Sequence, residues 1–167
     1  MCGIIGAIGS FEKQAALEGL DLLSHRGPDS KGYHFSKNVY LGHARLSIQD
    51  LSSNGHQPMW TNDGRYVIIF NGEIYNHNEL REKYLSNVNF CSNTDTETVL
   101  YGFCRLGQDF IPKLNGIFAF AIYDTVEEEV TIARDKYGVK PLYYYENNRS
   151  FLFASEIKFL GATIKPV

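Results

Sequence analysis

Met1-Cys2-Gly3-Ile4-Ile5-Gly6 opens the chain, and the reading of this stretch decides the rest. From Cys2 to Gly9 the residues are apolar, β-branched at Ile4, Ile5 and Ile8 and broken by Gly6 and Gly9, the pattern of a buried strand with close backbone neighbours. At the mouth of that strand stands a cysteine directly behind a methionine that processing can remove. Cleavage after Met1 leaves Cys2 with a thiol and a free α-amine on one residue. Since α-amines titrate at about 7.7–8.0, nucleophile and base then arrive together. The plain alternative is an inert cysteine near a start codon. The residues downstream have to decide between them.

With 167 residues, 44% hydrophobic and 21% charged, the chain suffices for one well-filled core and is short for two, so a single domain over 1–167 is expected. A net charge of −3 without any Lys/Arg-rich run leaves nothing to recruit nucleic acid or an anionic membrane. Cys2, Cys91 and Cys104 cannot all pair and show no metal-ligand spacing, which fits a reducing compartment. No apolar run reaches the roughly 18 residues of a membrane span, and the N-terminus lacks the pattern of a secretory signal. A cytoplasmic protein is the expectation.

Outward from the first strand, Ala16, Leu20 and Leu23 recur at helical spacing and predict an amphipathic helix over 12–24, closed by His25-Arg26-Gly27-Pro28-Asp29. Strands are predicted at 32–36 and 39–47, followed by a weakly periodic loop over 49–58. Tyr66-Val67-Ile68-Ile69-Phe70 is a strong strand signal that runs into Asn71-Gly72, a turn dipeptide. Asn76 is a candidate cap opening a second helix, with Glu79 three residues on, and a third helix is expected from Thr94 to Gly107 with Val99, Leu100, Phe103 and Leu106 as its buried stripe. Cys104 reads as a packing residue within it. The last third reads as a meander of strands at 117–123, 129–134, 142–146 and 151–154, then a short helix over 156–160 and an exit tail over 161–167. Strands grouped apart from helices indicate α+β with antiparallel sheets.

An attack by Cys2 on an amide requires oxyanion donors, a clamp for the rest of the substrate and shelter from water. Asn71 and Gly72 offer a side-chain amide and a backbone N–H at the end of a buried strand; an ordinary hairpin turn is the competing reading. Arg45 suits bidentate recognition of a carboxylate, or is a surface arginine. Asp95 at a helix start can accept from an ammonium, or simply cap the helix. Arg134-Asp135 can be an ion pair bounding a turn. The five histidines, at 25, 34, 43, 56 and 77, fall in no ligand pattern, so no metal is assigned.

What joins these signals is their order. Met-Cys-Gly-Ile at 1–4, His-Arg-Gly-Pro-Asp at 25–29, Gly-His-Ala-Arg-Leu-Ser-Ile at 42–48, Gln-Pro at 57–58 and Asn-Gly-Glu-Ile-Tyr-Asn-His at 71–77 precede Asp-Thr-Glu at 95–97. Gly-Ile-Phe-Ala-Phe-Ala-Ile-Tyr-Asp at 116–124, Ala-Arg-Asp-Lys-Tyr-Gly-Val-Lys-Pro-Leu-Tyr at 133–143 and Ala-Ser-Glu-Ile-Lys at 154–158 complete the series. Over nearly its whole length the chain closely resembles the class II glutamine amidotransferase domain, an N-terminal-nucleophile hydrolase. In particular it resembles the glutaminase half of glutamine-hydrolysing asparagine synthetases.

The resemblance implies a four-layer αββα sandwich of two antiparallel sheets flanked by helices. It implies Cys2 as the nucleophile on the glutamine side-chain amide, with its own amine as base, and Asn71 Nδ2 with the Gly72 N–H as the oxyanion hole. Arg45 would hold the α-carboxylate, Asp95 with help from the Glu73 region the α-ammonium, and the loop from Ile48 to Pro58 would border the pocket. No cofactor is implied for this half; ATP and Mg are expected only in an ATP-dependent synthetase domain, linked covalently or separate, whose phosphate-loop motif this sequence lacks. Leu46 after Arg45 favours the asparagine branch over hexosamine-phosphate synthases, where a Trp commonly follows this Arg. A sugar-modifying amidotransferase, a silent glutamine-binding or docking module, and a hydrolase of another amide stay open as alternatives. The oligomeric state is open, leaving room for a homodimer.

Overall fold

The computed structural model describes residues 1–48 and 52–163. Two antiparallel sheets stand face to face. The first has five strands in the order β2-β3-β1-β9-β8, namely Ser30–Phe35, Val39–Arg45, Gly3–Gly9, Ser150–Ala154 and Tyr143–Glu146. The second orders β4-β5-β6-β7, from Met59–Trp60, Tyr66–Ile74, Gly116–Asp124 and Glu129–Arg134. Helices α1 (Lys13–Asp21) and α4 (Ile157–Thr163) cover one outer face, and α2 (His77–Tyr84) and α3 (Asp95–Leu106) the other. α4 extends into the segment read as an exit tail; residues 164–167 lie outside the described residues.

The period-two alternation of the strands builds these layers. Ile5 and Ala7 of β1 face α1 and α4, packing with Leu20, Leu23 and Phe159, whereas Ile4 faces the second sheet. In β5, Val67 and Ile69 meet Ile4, Leu41 and Phe153 between the sheets, while Ile68 and Phe70 turn outward to Val99 and Leu100 of α3. Three apolar clusters therefore separate four layers, the αββα arrangement. A one-residue slip of β1 or β5 would exchange two of these clusters and is strongly disfavoured.

Three sequence expectations are corrected. Asn71-Gly72 makes no turn: β5 continues through it to Ile74, in register with β6 from Tyr66↔Asp124 to Ile74↔Gly116. The reason is close approach, since a Cβ on Gly72 would lie 2.3 Å from the Ile117 carbonyl oxygen. Asn76 stands at the start of α2 without a side-chain cap bond. Its Nδ2 instead donates to the Lys113 carbonyl (3.0 Å) and its Oδ1 accepts from the Asn115 N–H (2.9 Å), tying α2 to the approach of β6.

The last third is not one meander. β6 and β7 pair in one sheet and β8 and β9 in the other, so the chain crosses between sheets over 135–142. Arg134 and Asp135 organise this crossing through backbone bonds. Asp135 accepts from the N–H groups of Phe118 (3.3 Å), Tyr137 (3.2 Å), Val139 (2.9 Å) and Lys140 (2.9 Å). Arg134 donates to the carbonyls of Lys140 (2.9 Å) and Gly138 (2.6 Å). Burial pushes the Asp135 carboxyl upward, but the N–H donors outweigh it and hold the group below its ordinary value.

Candidate active site

Cys2 sits immediately before β1, the central strand of the first sheet, so the start of the chain is fixed by pairing on both sides. Gly3 lies opposite Ala44 and Ile5 opposite Ala154. Ser155 closes the frame, exchanging bonds with Ile4: its Oγ accepts the Ile4 N–H (3.0 Å), and its N–H donates to the Ile4 carbonyl (2.8 Å).

The His-Arg-Gly-Pro-Asp segment acts as the floor beneath the cysteine. Arg26 Nε donates to the Cys2 carbonyl (3.0 Å) and its Nη1 to Glu156 (3.2 Å). Gly27 passes beneath β3, where a Cβ would lie 2.2 Å from the Ala44 carbonyl. Asp29 accepts the Ser47 N–H (2.7 Å) and holds the chain leaving β3. That segment meets the thiol: Cys2 Sγ accepts the Leu46 N–H (3.4 Å) and lies 3.6 Å from the Leu46 carbonyl.

Above the thiol lies a cavity of about 270 Å3 lined by Cys2, Arg45, Ile48, Asn71, Gly72, Glu73 and Asp95, together with Met1, Gln57, Thr94, Thr96 and Lys140. Every residue named from the sequence as a site candidate is thus on one wall or another of a single cavity. Of the bordering loop, Ile48, Gly55 and Gln57 line it, and residues 49–51 lie outside the described residues.

Asn71 carries the most telling atom: the residue is 1% exposed, and Nδ2 is buried without a hydrogen-bond partner. A buried amide donor left unpaired is costly and therefore uncommon, so this one is poised for an acceptor that enters the cavity. Arg45, at the end of β3, donates from Nη1 to the Ser52 carbonyl (3.0 Å).

Asp95 is the first residue of α3, one place after the cap. Thr94 Oγ1 accepts the Glu97 N–H, while the Asp95 carboxylate accepts the Ile74 N–H (2.7 Å) and so joins the helix start to the end of β5. Burial pushes its carboxyl up to about 6 against the opposing pull of the Ile74 and Thr96 N–H groups, with Glu73 adding to the rise. A carboxyl raised on folding contributes stability below its unfolded value and loses it as pH rises through the folded one. The unfolding free energy of the wild type relative to Asp95→Asn should accordingly fall by about 1–3 kcal/mol between pH 4 and pH 7.5, measured by urea titration at both pH values. A constant difference would contradict the assignment.

Lys140, Thr94 and Thr96 went unassigned in the sequence, and Gln57 entered only as part of the loop from Ile48 to Pro58. Lys140 is 8% exposed and its Nζ donates to Met1 Sδ (3.1 Å), so a buried cation meets the residue in front of the cysteine. Its only sequence signal is its place in Gly-Val-Lys-Pro, because the sheet crossing that delivers it is invisible in one dimension. Cys104, in α3, packs against the apolar cluster beneath that helix, and burial pushes its thiol up to about 12. Among the described residues no His, Cys, Asp and Glu side chains gather as a metal-holding group, and no helix is long and apolar enough to cross a membrane.

This constellation has a counterpart in sequence. The profile of the glutamine amidotransferase domain matches residues 1–166. The chain belongs to that family. Asparagine synthetase [glutamine-hydrolyzing] 3 of Bacillus subtilis is 41% identical over 171 residues, covering 97% of this chain and 28% of that protein. Asparagine synthetase B [glutamine-hydrolyzing] of Escherichia coli is 39% identical over 166 residues, covering 96% of this chain and 30% of that protein. This amidotransferase domain thus spans about a third or less of the length of these curated relatives. The solved glutamine phosphoribosylpyrophosphate amidotransferase from B. subtilis superposes with a TM-score of 0.82 at 21% identity, over 96% of this chain and 43% of that one, and shares the fold.

Proposed function

We propose that the chain, once Met1 is removed, hydrolyses glutamine to glutamate and ammonia through a thioester on Cys2. The observation that carries the reading is the unpartnered, buried Asn71 Nδ2 in the wall of the cavity that holds the Cys2 thiol. The Cys2 α-amine takes the thiol proton, directly or through a water, and the sulfur attacks the side-chain carbonyl carbon. Charge develops on the carbonyl oxygen, where Asn71 Nδ2 and the Gly72 N–H donate. Collapse of this adduct breaks the C–N bond, and the α-ammonium returns its proton to the leaving nitrogen, which departs as ammonia. Water then attacks the thioester, with the amine again as base, and glutamate leaves.

Arg45 pairs with the α-carboxylate and Asp95, with Glu73 beside it, with the α-ammonium. Substrate is thereby gripped at its invariant end while the amide reaches the thiol. This half of the chemistry calls for no cofactor. The ammonia passes to an ATP-dependent synthetase portion, covalently linked or separate, and asparagine is the product we favour. The names of the relatives and Leu46 after Arg45 support that branch. The test is release of glutamate from glutamine by the processed protein, with Cys2→Ala as comparison. Turnover is expected in the first and none above background in the second; equal rates in both would end the proposal.

A further inference from the structure

β4 pairs with β5 only at Met59↔Ile68 and Trp60↔Val67. Beyond Ile68 the described residues place no strand on that side of β5, yet the next residues are Ile69, Phe70 and the oxyanion candidate Asn71. Two buried side chains take the place of the missing strand at Phe70. Gln57 Oε1 accepts the Phe70 N–H (2.6 Å), and His43 Nε2 lies 3.2 Å from the Phe70 carbonyl. Gln57 is anchored in turn, its Nε2 donating to Thr96 Oγ1 (3.3 Å) in the first turn of α3.

His43 belongs to β3, in register with Ile4 of β1. Its imidazole therefore crosses the sandwich interior, from the strand beside the one that begins at the nucleophile to the strand that bears Asn71. The ring is fully buried, and burial holds its pKa down to about 3, so it is neutral. Because the Phe70 carbonyl can only accept, the ring proton belongs on Nε2; Nδ1 is buried without a partner. The peptide plane that links Phe70 to Asn71 contains that carbonyl. Fixing it fixes the backbone from which the carboxamide projects.

We infer that His43 is a positioning residue for the oxyanion donor: with Gln57 on the Phe70 amide, it stands in for the missing neighbour strand and holds Asn71 in the cavity wall it shares with Cys2. The inference rests on the proposed glutaminase reading. It predicts an effect on the chemical step transmitted through Asn71, with substrate binding left alone.

The experiment is a cycle on the processed full chain, with His43→Gln, His43→Asn and His43→Leu each made in the wild-type and Asn71→Ala backgrounds. Glutamine kcat and KM are measured, and thermal midpoints are recorded. His43→Gln keeps a donor near the Nε2 position and should hold kcat within about threefold. His43→Leu and His43→Asn should lower kcat about tenfold or more with KM within about twofold. In the Asn71→Ala background the same substitutions should change kcat by less than about twofold, because the route through Asn71 is already gone. Gln57→Leu should follow the pattern of His43→Leu. If His43→Leu yields no folded protein, the contrast between Gln and Asn carries the test. Equal losses in both backgrounds, losses confined to KM, or no difference between Gln and Asn would overturn the inference while leaving a glutaminase. A processed wild type that releases no glutamate would instead remove the functional reading, and this inference with it.

Discussion

A chain that keeps Met1 is expected to turn over glutamine about 10²–10⁴ times more slowly than one that begins at Cys2, the range typical of a lost general base. In the retained form the Cys2 nitrogen is an amide, which cannot accept the thiol proton. The thiol itself stays in place, because its contacts with Leu46 and the hold of Arg26 on the Cys2 carbonyl involve no part of Met1. Met1 does line the cavity and meets Lys140, so obstruction is a second way to lose activity. Replacing Met1 by glycine in a chain made to retain it separates the two. If the base is what matters, the glycine form stays as slow as the methionine form, and both thiols still react with iodoacetamide. Intact mass identifies each preparation. Rapid turnover by a form proven to carry residue 1 would rule out the α-amine as base.

Asn71→Ala is expected to lower kcat by about 10²–10³ while KM for glutamine changes little, since the donor acts on charge that develops only after attack. Stability should move the other way or not at all. Asn71 Nδ2 is buried without an acceptor, so the side chain costs the resting protein something that alanine does not. The paired measurement is a kinetic constant and a thermal midpoint on one sample. A large drop in midpoint would make Asn71 a structural residue, and an unchanged kcat would remove it from the reaction.

Much of the architecture was legible because it rests on periodicity. The helical spacing of Ala16, Leu20 and Leu23 and the apolar run of β1 are local signals that tertiary packing reinforces. Asn71-Gly72 misled for a physical reason. The same dipeptide that favours a tight turn also allows two backbones to approach, and only the neighbour at Ile117 decides which property is used. β4, two residues long, has no period to detect. In the site, the ordered motifs named Cys2, Arg45, Ile48, Asn71, Gly72, Glu73 and Asp95, all of which line the cavity. Lys140 escaped because its place comes from a sheet crossing, and the bond of Gln57 to Phe70 escaped because it fills a gap in a ladder; neither exists until the chain has folded.

The pairing of β1 also sets a schedule. Its two flanking strands are β3 and β9, and the bond from Ile4 to Ser155 spans 151 residues. On the ribosome, chains grow at roughly 5–20 residues per second, so several seconds separate the appearance of Met1 from that of the strand that locks it in place. Until then β1 can be held on one side only, by β3, and Ile4 lacks its bonds to Ser155. A fold that placed β1 in an early local hairpin would close sooner. In this one the second neighbour of β1 is the ninth strand, so the frame around Cys2 is completed only late in the synthesis of the domain.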